Sequence, residues 1–318
     1  MKQTIKTFYT DKQVCFDSIR EKSYSQSPLK PHLLMKRFRE TAYKSLLDID
    51  DSFEPVTKKD LAIAHTEEYI NNVYNGTGNY RSNSLPWSKN LVESLPYTTG
   101  SLYAASKWAI EHPEQIAFAP ISGMHHAQPE RGSGFCTFSG QVISAVKIYQ
   151  ETGKVCAYLD LDGHFGNSIE DTREFNPLVN KAIPKGCNIN PRGENSQYVS
   201  DMMRHLGTLG VKILNGEVDY VVFAHGADSH IDDDLGGQCG TEYWLLCAEK
   251  FANWVNEISN LLGRRLPVVL ALFGGYRKDD YNTVLDLHIK SILTCNNIIY
   301  NQNIEDNLII QHKFYSNY

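Results

Sequence analysis

The chain has 318 residues, 42% hydrophobic and 21% charged, with 31 basic against 37 acidic side chains and a net charge of −6. Composition and length suit one globular α/β domain spanning residues 1–318, and the acidic balance, with no basic run to offset it, speaks against direct nucleic-acid binding. No apolar run approaches the ~18 residues that cross a bilayer, the first 13 residues lack the apolar stretch of a secretory signal, and seven scattered cysteines without a CxxC pair suit reduced thiols; the expectation is a cytoplasmic protein, whether resident or delivered to a host cell as a bacterial effector.

In chain order, strands are expected at Ile5–Tyr9, Gln115–Ala119, Val155–Leu161, Tyr220–Ala224 and Val268–Phe273. Several are short apolar runs without alternation, the pattern of strands covered on both faces. Helices are expected between them. Leu102, Ala105, Trp108 and Ala109 share one face of Thr99–His112, and Val142, Ala145, Val146 and Tyr149 share one face of Thr137–Gln150. Thr241–Leu262 and Asp280–Leu293 follow. The segment Arg173–Ser200, with prolines, glycines and several asparagines, reads as a long loop, either site wall or plain surface. Strands alternating with helices imply a mostly parallel central sheet flanked by helices.

In such sheets ligands gather beyond the carboxyl ends of the strands. Four polar clusters fall there: Gly123-Met-His-His126, Asp160-Leu-Asp-Gly-His164, Gly226-Ala-Asp228 and Gly274-Gly-Tyr276. An extended chain puts Asp160, Asp162 and His164 on one side. With Asp228 they could surround a metal, since three protein ligands and an open position make a catalytic zinc site; the bland reading is an acidic turn with Asp228 as a helix cap. His125 and His126 could be ligands, a general base with its neighbour, or chance. Gly134 and Phe135 fit a narrow channel or ordinary core. Tyr276 could donate to a developing oxyanion, or be a packed turn residue.

Together these motifs resemble the histone deacetylase family. Gly123-Met-His-His-Ala127 with Gly134-Phe-Cys136 is similar to its paired-histidine motif, and Asp160-Leu-Asp-Gly-His-Phe-Gly-Asn167 to its metal-binding strand end. Gly226-Ala-Asp-Ser-His230 with Asp233 and Leu235-Gly-Gly237 is similar to the segment carrying the last ligand, and Gly274-Gly-Tyr-Arg-Lys278 to the tyrosine segment. The similarity runs from about Lys30 to Ile292. Among subfamilies the likeness is to class IV, with Tyr97-Thr-Thr-Gly100, expected to open the helix before the His pair, adding to it.

The resemblance implies an arginase/deacetylase-like fold and one catalytic Zn2+ held by Asp162, His164 and Asp228. His125 and His126 would be the acid–base pair, Tyr276 the oxyanion donor, and Asp160 would orient His125 and help hold a structural K+. Asn167 would partner His126, and Gly134, Phe135, Gly274 and Gly275 would line the acyl channel. The expected reaction is removal of an acetyl or longer fatty acyl group from lysine in a protein or peptide. An acetylpolyamine or other small-molecule amidohydrolase, and a weakly catalytic acyl-lysine binding module, are the rival readings. Two positions depart from common family members: Asn167 stands where class I has Asp, and Phe165 where many have His. A second channel aromatic, expected within Arg173–Ser200, has no evident candidate, and Glu67 or Glu68 could match an acid at the rim.

Overall fold

Hydrophobic runs with no polar alternation can be satisfied only by cover on both faces, and the computed structural model, which describes residues 3–19 and 25–313, provides it. Seven strands are β1 (Ile5–Phe8), β2 (Leu47–Asp50), β3 (Ala117–Ala119), β4 (Cys156–Asp160), β5 (Asn188–Ile189), β6 (Tyr220–Ala224) and β7 (Val268–Ala271). They form one sheet in the order β2-β1-β3-β7-β6-β4-β5, and every pairing is parallel. Each residue of β3, β4, β6 and β7 is buried, while the edge strand β2 is half exposed.

The longer helices are α1 (Lys30–Glu40), α2 (Glu67–Asn75), α3 (Lys89–Glu111), α4 (Gly140–Thr152), α5 (Ser196–Leu214), α6 (Thr241–Leu262) and α7 (Tyr281–Ile299). In α6 the buried Trp244, Cys247, Ala248, Phe251, Val255 and Ile258 recur every three or four residues, which turns one stripe of the helix to the core. The start of α7 is fixed by Asp280, whose carboxylate accepts from the amides of Asn282 and Thr283. One hydrophobic cluster runs from Ile5 to Ile299 across both faces of the sheet. All seven cysteines are buried free thiols. Among the described residues no helix is long and apolar enough to cross a membrane.

The structure corrects three expectations. Arg173–Ser200 is not a plain loop: it holds a short helix at Val179–Ala182, the edge strand β5 and the start of α5. The helix expected from Thr99 begins at Lys89 and carries Pro96 inside it, so Tyr97-Thr-Thr-Gly100 lies within a helix rather than opening one. The helix expected from Thr137 begins at Gly140.

Candidate active site

The four polar clusters leave β3, β4, β6 and β7, which are neighbours in the order β3-β7-β6-β4. Parallel pairing puts their carboxyl ends side by side, so residues more than a hundred positions apart meet there. One ligand atom each from Asp162, His164 and Asp228 lies within 4.8 Å of the others. His164 Nδ1 is 3.1 Å from Asp162 Oδ1 and 2.9 Å from Asp228 Oδ2. Donors bound tetrahedrally at the usual zinc–ligand lengths would stand about 3.3 Å apart, so this spacing suits one small cation. The charges suit it too. Burial and the charge of Asp162 push the Asp228 carboxyl up to about 8. Burial works the same way on Asp162, but His125, His164 and Asp228 hold it well below the carboxylate range. Hydrogen bonds to both carboxylates raise His164 to about 10. Two buried carboxylates competing for one imidazole are a donor set that a divalent cation would satisfy.

The histidine pair sits beside them, ring centroids 4.0 Å apart. His125 Nδ1 donates to Asp160 Oδ2 at 3.0 Å, and its Nε2 is 3.5 Å from Asp162 Oδ1. Burial opposes charge on His125, but Asp162 and Asp160 outweigh it and raise the imidazole to about 9. The other Asp160 oxygen accepts from the Asp162 amide; burial raises Asp160, with His125 pulling it back. His126 is the opposite case: burial and the neighbouring His125 charge lower it to about 4. Its Nδ1 lies 2.8 Å from Asn167 Oδ1, and Asn167 Nδ2 donates to Asp171 Oδ2 at 2.6 Å. With its amide turned by Asp171, Asn167 can only accept from His126. Nδ1 therefore carries the proton and Nε2 is left free to take one. Asp171 escaped sequence reasoning, though its place four residues after Asn167 on one helical turn was a signal.

Tyr276 closes the group. Its ring is 6.3 Å from that of His164 and 5.5 Å from that of Phe135. Its amide donates to Asp233 Oδ2 at 2.7 Å. Burial, and then Asp162 and Asp228, raise its pKa well above the usual phenol value, so the hydroxyl stays protonated as a donor. Two glycines here have no substitute. A Cβ on Gly134, at φ +48, would stand 2.5 Å from His126 Cδ2, and one on Gly274 would stand 2.3 Å from Asp228 Cγ. The Gly274 amide also donates to Asp162 Oδ2 at 2.8 Å. Gly274 thus lies against the carboxylates, and Gly275 against Val284.

A cavity of ≈ 500 Å³ opens beside Asp162 and His164, walled by Phe165, Asn190, Arg192, Glu194 and Gln238. The only aromatic that Arg173–Ser200 sends to it is Tyr198, at the buried side; Phe175 lines a separate surface groove. Glu67 and Glu68 are exposed at the start of α2 and do not line the cavity. A second cluster of donors, His230, Asp232 and His312, is already occupied by protein partners. Asp232 accepts from His312 at 2.8 Å and has the Arg277 guanidinium 3.7 Å away, and His230 Nε2 meets Thr241 Oγ1. That cluster is a latch between a loop and the C-terminal tail.

Residues 24–182 match the family model described as the histone deacetylase domain. Over 244 residues the chain is 27% identical to an uncharacterized protein of Picosynechococcus sp., covering 70% of this chain and 77% of that one. It is 25% identical over 160 residues to histone deacetylase clr6 of Schizosaccharomyces pombe, covering 46% of this chain and 39% of that one. It is 24% identical over 134 residues to the acetoin utilization protein AcuC of Bacillus subtilis, covering 39% and 35%. The chain thus matches well under half the length of these two named relatives. The crystal structure of the HDA15 HD domain superposes with a TM-score of 0.69 at 15% identity, covering 95% of this chain and 91% of that one; this likeness concerns the fold.

Proposed function

This chain belongs to the histone deacetylase family, and on that footing we propose that it is a zinc-dependent amide hydrolase that removes an acetyl or longer fatty acyl group from lysine side chains of a protein or peptide. The observation that carries the reading is the meeting of Asp162, His164 and Asp228 beside a neutral, singly committed imidazole and a protonated phenol. Zinc held by those three residues would polarise the amide carbonyl and acidify water at the site. His126 Nε2 takes the proton from the attacking water. The Tyr276 hydroxyl donates to the oxygen that gains negative charge as the carbonyl carbon becomes tetrahedral. Asp160 accepts from His125 Nδ1 and so holds that ring beside the base. His126 then returns its proton to the amine nitrogen as the C–N bond breaks, since an unprotonated amine is too basic to leave. The products are a carboxylate and a free amine.

Acetyl is the smallest group this reading admits, and the class IV likeness adds longer fatty chains. One second reading is an acetylated polyamine; the open, polar mouth carries both Glu194 and Arg192, so its charge does not select for that substrate.

Turnover of acyl-lysine peptides from acetyl to myristoyl, with acetylpolyamines alongside, decides among these. Acyl-lysine peptides should be preferred over acetylpolyamines, and chelation should abolish their hydrolysis. Asp162→Ala and Asp228→Ala should lose zinc by metal analysis. Full metal occupancy in either variant, or hydrolysis that survives chelation, would sink the assignment.

A further inference from the structure

The turn that carries Tyr276 is held from behind by a charge that neither the ligand set nor the histidine pair uses. Lys30 opens α1, a place where a lysine ordinarily reaches for water, yet its relative exposure is 0%. Its ammonium donates to the carbonyl oxygen of Phe273 and lies 3.4 Å from Ser122 Oγ. Ser122 Oγ donates to the same carbonyl at 3.1 Å. Phe273 needs holding: its φ of +67 is left-handed, unfavourable for a bulky side chain and found where the surroundings enforce it. Its ring packs edge-on against His125 at 5.1 Å, so the strained residue lies directly against the histidine pair.

The same ammonium is 5.8 Å from the centre of the Tyr276 ring. Among the described residues no carboxylate stands within ion-pair distance of it. Burial draws the Lys30 pKa down to about 8 against the pull of Asp228, Asp162 and Asp233. A buried, unpaired cation is costly, and its neighbours are the turn and the phenol.

We propose that Lys30 is a positioning residue for the reaction: it fixes the Phe273 carbonyl and places a positive charge behind Tyr276 that strengthens the phenol as donor to the oxyanion. A nearby cation favours the form in which negative charge develops on the phenol oxygen, and a donor held in place before reaction loses nothing to reorganisation. The inference rests on the reading of Tyr276 as oxyanion donor.

The test compares Lys30→Met, which keeps length and removes charge, with Lys30→Arg, which keeps charge, each alone and with Tyr276→Phe. In zinc-loaded Lys30→Met, kcat on acetyl-lysine peptide should fall by about 10- to 100-fold, a fraction of the loss expected for an oxyanion donor, with KM within about twofold. Lys30→Arg should recover much of that loss, and Lys30→Met should cost little more once Tyr276 is Phe. A folded, zinc-loaded Lys30→Met with unchanged kcat, or a full loss repeated in the Tyr276→Phe background, overturns the proposal. Calorimetric binding of a short alkyl hydroxamate supplies a readout without turnover. Lys30→Met and Tyr276→Phe should each weaken it, and not additively; additive effects count against Lys30. Wild-type protein that binds hydroxamate but hydrolyses no amide would refute the assigned reaction while leaving Lys30 to be judged by this arm.

Discussion

At the scale of single residues, the site turns on which nitrogen of His126 is free. Asn167 accepts from Nδ1 because its own Nδ2 is committed to Asp171, and the amide carries no charge to favour an imidazolium. Replacing it by a carboxylate, Asn167→Asp, should raise the His126 pKa from about 4 by roughly one to two units. The base must be neutral to work, so the acid limb of the kcat/KM profile should move to higher pH. An acid limb that stays put would show that Asn167 does not set the basicity of His126. Gly134 makes a second, steric claim. Its φ of +48 disfavours any Cβ, and that Cβ would stand 2.5 Å from the His126 ring. Gly134→Ala should therefore cut kcat by about tenfold or more through misplacement of the base, while the zinc content holds; wild-type kcat in that variant would mean the ring has room to move. Tyr276→Phe should lose about 10²–10³ in kcat, the usual cost of one oxyanion donor, with metal retained.

At the scale of elements, what was legible in the sequence was what burial writes plainly. Tyr220–Ala224 is the observed β6, and Val268–Phe273 overruns β7 by two residues, because central parallel strands are continuous apolar runs closed by polar residues. Edge strands carry no such mark: β2 reads Leu-Asp-Ile-Asp and β5 is two residues long. The start of α5 hid behind Asn195, whose φ of +47 turns the chain out of a polar stretch that reads as loop. Lys30 was illegible for another reason, since a lysine before a proline at a helix start looks like surface. The arrangement least visible in sequence is the clamp on the tyrosine turn. Asp233 and Asp234 accept from the amides of Tyr276 and Lys278. Asp232 and Asp234 also bind His312 and Lys313 of the tail, and Arg277 donates to the Gln311 carbonyl. One acidic loop thus ties the C-terminal segment to the turn that carries Tyr276. Ending the chain at Gln302 should reduce kcat by about three- to tenfold, a positioning effect, and leave zinc binding intact. An unchanged kcat would make the tail a passenger.

At the scale of the whole molecule, the fold's need for neutral histidines sets its behaviour in acid. His65 is the clearest instance, because it is buried away from the metal ligands and both ring nitrogens are spoken for. Nδ1 donates to the Gln128 carbonyl at 2.9 Å, and Nε2 accepts from the Ser139 amide at 2.8 Å. Tyr69 and Phe138 pack on the ring, so the residue ties α2 to both ends of the loop that presents Gly134 and Phe135. A second proton would set Nε2–H against the Ser139 N–H. Burial accordingly lowers the His65 pKa from 6.5 to about 4. The sign follows from linkage. Between pH 4 and 6.5 the unfolded chain binds a proton that the folded one refuses, so this stability is complete above about pH 6.5 and drains away as pH falls toward 4. One such site is worth on the order of 3 kcal/mol, and burial depresses His225 and His288 in the same direction. Denaturant melts from pH 7.5 to 4.5 should therefore show stability falling steeply below pH 6.5, with a shallower slope in His65→Gln, whose side chain can make both contacts but cannot titrate. Parallel slopes for the two proteins would mean that His65 accepts its second proton in the folded state, and that the hydrogen bonds holding the Gly134–Phe135 loop are weaker than their geometry implies.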